Sequence, residues 1–385
     1  YYKLSASVDL SGAANWFAPI GTFRGSLNGN SKTISNWTYS ANTTDYIALF
    51  SKFPDYSTNV ISDLNISSFS VTGRDFTGSL VSMGASTGLY AYTGSISNIS
   101  VTGTTVTGRD YVGGIIGIMP GGTFSNLQFS GTVSGRSTVG GIIGGAISQM
   151  NFYSLLTTLS ITNSWSSGTI TGSGDGVGGL FGSLVGGLPT LTNRNVDNSS
   201  SQATVSATGT TSKKIGGLAG DITSGVVQNS YAIGAVQTTS VTSTNGGQGT
   251  GGFAGHVDKS TFSNCYATGA VTGEYNSLGG FAGWGRQYTM TNCYATGTVT
   301  STGETADSCG GLVGSTSTMS AGKTNTLTNS YATGNVVNCG TYSAGGLIGY
   351  ARQMTISNCR ATGNVSTATS LAASVRMAGG LIGSL

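Results

Sequence analysis

His256 is the only histidine in the 385 residues, and Asp258 lies two places on, on the same face of an extended strand. A His–Asp pair can hold or relay a proton for a nucleophile, but no nucleophile recurs beside this one. The 13 acidic residues are scattered along the chain. Polysaccharide lyases and hydrolases built on β-helices need clustered carboxylates, or carboxylates with Lys or Arg, on one exposed face. Asp75 and Asp110 do recur, as GRDF and GRDY behind Arg74 and Arg109. If the repeats stack, these four form an ion-pair ladder between coils. GASTG (84–88) satisfies the G-x-S-x-G pattern, yet a chain with 64 glycines and abundant serine yields about one or two such matches by chance. AGKT (321–324) lacks the upstream glycine of a phosphate loop. GSGDGVGG (172–179) occurs once, whereas calcium-binding nonapeptides need tandem copies. The expectation is a non-enzyme with no cofactor and no metal.

The five cysteines all follow residue 264. Cys265, Cys293 and Cys359 occupy a repeat position held elsewhere by Leu127, Ser164, Ser230 and Ser330, so they read as small core residues. No histidine recurs with them, which argues against zinc. Cys309 and Cys339 lie outside that series and are the candidate disulfide for an oxidising compartment. Sequons at Asn36, Asn42, Asn65, Asn98, Asn198 and Asn364 are candidate glycan sites on an extracellular surface. Such triplets also arise by chance in an Asn/Ser/Thr-rich chain.

A repeat positions these residues. Gly-Gly-apolar-apolar-Gly stands at 113–117, 140–144, 178–182, 216–220, 251–255, 279–283, 310–314, 345–349 and 379–383. GSLVS (78–82) and IALFS (47–51) are degraded copies. Between the copies runs a second motif: NCYATGAV from Asn264, NCYATGTV from Asn292, NSYATGNV from Asn329, and looser forms from Asn126, Asn163, Asn229 and Asn358. Read with period two, Cys265, Ala267, Gly269 and Val271 face inward, while Tyr266, Thr268 and Ala270 face outward. Glycine pairs would mark a corner, and the asparagines suit a left-handed corner and an amide ladder. The outward aromatics Trp165, Tyr231, Tyr266, Tyr294 and Tyr331 either stack coil upon coil or offer a flat strip to a glycan or another filament.

Copies start 27 to 38 residues apart, a solenoid period. The fold expected is all-β: a parallel β-helix of about ten or eleven coils with Gly-rich corners. Residues 1–60 form an entry segment and first coils, continuous with the solenoid of 61–385. The shortest spacings are too short for a four-stranded propeller blade. Charged residues make up 8 % and the net charge is +3, too weak and diffuse for nucleic acid. Apolar runs such as VGGIIGIM (112–119) fall far short of the roughly 18 residues that span a bilayer. No signal peptide stands at Tyr1, so the chain is either a mature product or was never exported, and composition favours the former.

These residues resemble the GLUG repeat family, through the nine GGxxG copies and the lead-in YYKLSASVDLSG, WFAPIG and FRGSLNGNSKTISNW (23–37). The resemblance implies a secreted or surface protein of prokaryotes, in adhesin-like proteins or some surface proteases, with the array as stalk or binding surface. The function expected is therefore a non-catalytic extracellular or cell-surface structural protein, an adhesin or stalk or the subunit of a head-to-tail filament. The alternative is a carbohydrate-binding or polysaccharide-degrading β-helix. Expected partners are the chain itself or a surface glycan or host surface. MAGGLIGSL (377–385) ends in mid-repeat, and an open coil invites stacking. Leu381 and Ile382 would then meet Val8, Leu10 and Phe17 of a neighbour.

Overall fold

The computed structural model describes the chain except residues 13–17, 55–58, 86–93, 148–157, 187–193, 211, 240–248, 275–276, 304–307, 318–323, 340–341 and 369–376. Every strand pairing is parallel, with each coil bonded to the one before and the one after. One coil shows the plan. Thr261–Ser263, Tyr266–Ala267 and Val271–Gly273 lie on a first face, Ser277–Gly279 on a short second face and Ala282–Arg286 on a third. Thr289–Thr291 then begins the next coil. Among the described residues these faces form sheets of 28, nine and twelve strands, with no helix. The chain is an all-β parallel β-solenoid.

About nine coils carry all three faces, fewer than the ten or eleven expected. In the earliest coils the second face shrinks to isolated bridges, Ile47 to Thr77 and Thr77 to Val112. There the GGxxG motif is degraded to IALFS and GSLVS.

The inward parity holds: Cys265, Ala267, Gly269 and Val271 are buried, while Thr268 and Ala270 are exposed and Tyr266 half-buried. The glycines work differently from expectation. No described GGxxG glycine has a positive φ; the left-handed corner falls on asparagine, with φ of 54° at Asn126, 48° at Asn229 and 55° at Asn264. The glycines are instead demanded by contact. A Cβ on Gly280 would lie 2.1 Å from the Gly311 carbonyl oxygen of the next coil, and one on Gly279 would lie 1.9 Å from the carbonyl oxygen of Ala282. Stacked backbone at this corner leaves no room for any side chain.

Candidate functional site

The first face carries the aromatic strip. Parallel pairing places Tyr231, Tyr266, Tyr294 and Tyr331 on successive coils. Their rings stack face to face at 4.9, 4.8 and 4.9 Å, within 3–5° of parallel. The Arg360 guanidinium closes the far end, 4.6 Å from the Tyr331 ring centroid. Burial, then the neighbouring phenols, pushes the Tyr266 and Tyr294 hydroxyls up from their ordinary range. Trp165 is in the same column but outside the stack, because Ser200 occupies the rung between it and Tyr231.

Beside this strip runs the amide ladder. Asn126 donates to Asn98, Asn264 to Asn229, Asn292 to Asn264 and Asn358 to Asn329, at 2.8–3.1 Å. Inside it runs a hydroxyl and thiol ladder. The Ser164, Ser199, Ser230 and Ser330 hydroxyls each donate to the carbonyl two residues back and accept an N–H from the preceding coil. Cys265 and Cys293 fill the same inward position and are buried, and Cys359 is half-buried. Cys309 and Cys339 are joined in a disulfide with Cα atoms 5.9 Å apart, packed among Val271, Leu278, Val299 and Val336.

The Arg–Asp ladder crosses coils, one step offset from the sequence pairs. Arg74 chelates Asp45 with both bonds at 2.6 Å, Arg109 reaches Asp75, and Arg136 reaches Asp110. Asp45 and Arg136 were not foreseen. The Arg74 hydrogen bonds hold the Asp45 carboxyl below its ordinary range.

A second polar cluster lies on the third face, in the column immediately after each GGxxG. His256 pairs not with Asp258 but with Asp221 of the preceding coil, Nδ1 to Oδ1 at 2.7 Å, and Lys214 Nζ donates to the other oxygen at 2.7 Å. Burial opposes ionisation of Asp221, but His256 and Lys214 outweigh it and hold the carboxyl far below its ordinary range. The His256 ring stacks on Trp284 at 5.1 Å. Arg286 donates to Asp258 at 2.8 Å, leaving Asp258 Oδ1 and Arg286 Nε buried without a partner. Thus carboxylates and cations do converge on one face, against the scattered distribution read from the sequence. Lys214, Asp221, Trp284 and Arg286 were missed. Aligning the copies on GGxxG would have shown Asp221, His256 and Trp284 in one column. Both carboxylates are held in ion pairs, and Asp221 is kept ionised by His256 and Lys214.

The remaining sequence candidates divide. Asn42, Asn98, Asn198, Asn36 and Asn364 are exposed and Asn65 is half-buried. Asn36, Asn98 and Asn198 donate their amides to Asp9, Asp63 and Asn163. Val8 and Leu10 line an apolar hollow of about 510 Å³ at the N-terminal edge, with Phe23, Ile34 and Phe50. Leu381 is 40 % exposed and Ile382 half-buried. Phe17 lies outside the described residues, as do 86–88 of GASTG and 321–323 of AGKT. No described helix is long and apolar enough to cross a membrane.

The GLUG motif matches residues 246–272, 274–300 and 340–366. No curated protein matches the chain. A crystal structure of a "putative immunoglobulin A1 protease" from Bacteroides ovatus is similar at 18 % identity and a TM-score of 0.36, over 77 % of this chain and 70 % of that one. A likeness at that level carries no functional argument.

Proposed function

We propose that this chain of GLUG repeats is a non-catalytic, extracellular or cell-surface rod that works through its surface, as an adhesin or stalk. The observation that carries the reading is the four-tyrosine strip, a rigid, uncharged aromatic line on an exposed sheet face. Such a line suits contact with a surface glycan, because the stacked rings present a row of edges and hydroxyls that is already rigid and has little rotamer entropy to lose. The polar side chains of the ladders are spent on joining coil to coil, which favours rigidity over chemistry. Export suits the disulfide. The test is adhesion of the labelled full chain to polysaccharide-coated and cell surfaces, compared with Tyr266→Ser/Tyr294→Ser. We expect the double variant to keep its circular dichroism spectrum and lose most retention. Unchanged retention would remove the strip from the reading.

Two further readings each have one observation behind them. The exposed Leu381 and Met377 and the hollow beside Val8 and Leu10 favour head-to-tail stacking into a filament. Filaments seen by electron microscopy that Leu381→Asp abolishes would support it; filaments unchanged by that variant would remove it. The Lys214, Asp221, His256, Asp258, Arg286 cluster favours a polysaccharide-acting enzyme. Hydrolysis or elimination products that vanish in Asp221→Asn would support that alternative.

A further inference from the structure

The aromatic column has a missing rung. Trp165, Ser200 and Tyr231 are in register on three successive coils. From Tyr231 onward the rings repeat every 4.8–4.9 Å with no gap. Trp165 and Tyr231 are therefore two coil steps apart, about 9.6 Å, which is the spacing of a stack from which one ring has been removed. One face of Tyr231 is covered by Tyr266, and the other is turned toward Ser200. Ser200 forms the floor, 6 % exposed.

The amide ladder breaks at the same rung. Asn126, Asn264, Asn292 and Asn358 each donate to their equivalent on the preceding coil, while among the described residues no such bond joins Asn163 to Asn126 or Asn329 to Asn292. Asn229 should donate to Asn198 but donates to Asp197 Oδ1 at 2.8 Å instead. Asn198 still donates to Asn163 at 2.7 Å, so its own carbonyl oxygen accepts from no donor among the described residues. On the other side of the gap stand Gln202, exposed, and Ile233, 40 % exposed.

We propose that this gap is a binding slot for one neutral pyranose ring of a glycan, which takes the place of the absent aromatic rung. The inference rests on the surface-binding reading above and assigns it a position and a ligand class. A pyranose has apolar C–H faces and a polar rim. The slot has Trp165 on one side and the open face of Tyr231 on the other, where positive C–H groups meet the negative ring face. Amides flank its sides: Asn198 offers an acceptor and Gln202 offers both donor and acceptor. An aromatic side chain of a protein partner would fill the same thickness but leave those amides facing its apolar edge. The carboxylate at this rung, Asp197, is bonded to the neutral amide of Asn229 and keeps its negative charge, which repels an acidic sugar and leaves a neutral one as the better fit.

The test fills the slot. Ser200→Tyr supplies the missing ring at a position where four other coils already carry tyrosine, so the variant should fold and melt at or above the wild-type temperature. Binding of cellohexaose, xylohexaose, maltohexaose and the chitin hexamer to the full chain is followed by calorimetry. At least one is expected to bind wild type, with affinity falling roughly tenfold or more in both Ser200→Tyr and Trp165→Ala. Failure of all four sugars to bind, undiminished binding by Ser200→Tyr, or preference for a tyrosine-rich peptide over every sugar would overturn the slot. Sugar binding that survives Ser200→Tyr but falls in Tyr266→Ser/Tyr294→Ser would overturn the slot alone and leave the surface reading standing. Unchanged surface retention in that double variant would remove the strip from the surface reading, while the slot would still stand or fall by Ser200→Tyr and Trp165→Ala.

Discussion

The coils before residue 186 and those after residue 215 share one backbone plan and solve coil stacking with different side chains. In the first region the ladder sits at the corner before the second face. Tyr46, Phe76 and Tyr111 stack there at 5.0 Å, beside the Arg74, Arg109 and Arg136 ion pairs. Among the described residues of the second region no such stack stands at that corner, and the aromatics stand on the first face as the tyrosine strip. The added chain moves too. It lies between the third and first faces early on, as between Ile143–Ile147 and Leu159–Thr162, and later also between the first and second faces, as between Val236–Thr238 and Gly249–Gly251, while a third-to-first insertion persists between Val313–Ser317 and Asn325–Thr328. The GGxxG corner keeps its length in every copy, as does the asparagine corner of the first face. Parallel coils therefore require like residues in register, but leave open which residue type and which column. The glycine corner is the part with no alternative, because backbone fills it.

Five outcomes would break or sharpen this comparison. The largest effect is expected at the shared corner. A Cβ on Gly141 would lie 2.1 Å from the Gly179 carbonyl oxygen, and one on Gly280 the same distance from that of Gly311. Gly141→Ala and Gly280→Ala should each cost about 3 kcal/mol or more in denaturant unfolding. A benign result in one region only would mean the corner is not common to both.

Next comes the disulfide, which belongs to the second region and closes a separation of 30 residues. Cys309→Ala/Cys339→Ala should cost about 3 kcal/mol. Hydrogen exchange should quicken in coils around 300–345 and stay unchanged before residue 186.

The two aromatic ladders should then prove equivalent. Tyr294→Ala and Phe76→Ala each remove a ring stacked on both sides, at about 1–2 kcal/mol beyond the loss of buried area. A several-fold difference in destabilisation would show that one ladder is structural and the other is kept for something else.

The ion pairs distinguish the regions by salt. Arg109 is 48 % exposed, so Arg109→Gln should cost no more than about 0.5 kcal/mol, and less at high ionic strength. Thermal melts across a salt series check this.

The smallest effect is at high pH. Tyr266 and Tyr294 have raised folded values, so their protonated forms are favoured in the fold. That contribution is intact below the unfolded phenol value of about 10 and is lost as pH rises through the folded values. The tyrosinate absorbance of the strip should appear late, and stability should fall as it appears. An ordinary titration would mean the stack is loose.

Much of this was legible beforehand. Period two on NCYATGAV placed Cys265, Ala267 and Val271 inside, and the repeated asparagine gave both the left-handed corner and the amide ladder. Coil-to-coil register was harder, because it depends on which residue of one copy lies over which of the next. The Arg109–Asp75 rung between coils is the ladder expected of the recurring pairs, but its ends, Asp45 and Arg136, lay outside the recurring motif. His256 was matched with Asp258, whereas stacking brings it to Asp221, 35 residues earlier. The missing rung at Ser200 was visible only as an eroded copy lacking an aromatic; its meaning came from the register on either side.

The most direct test of a binding rod against a catalyst is to incubate the full chain with a panel of neutral and acidic polysaccharides, then measure retained protein and released oligosaccharides in the same sample. We expect retention on at least one polymer with no shortened products by mass spectrometry. New oligosaccharides that disappear in Asp221→Asn and His256→Ala would contradict the non-catalytic reading and move the function to the third face.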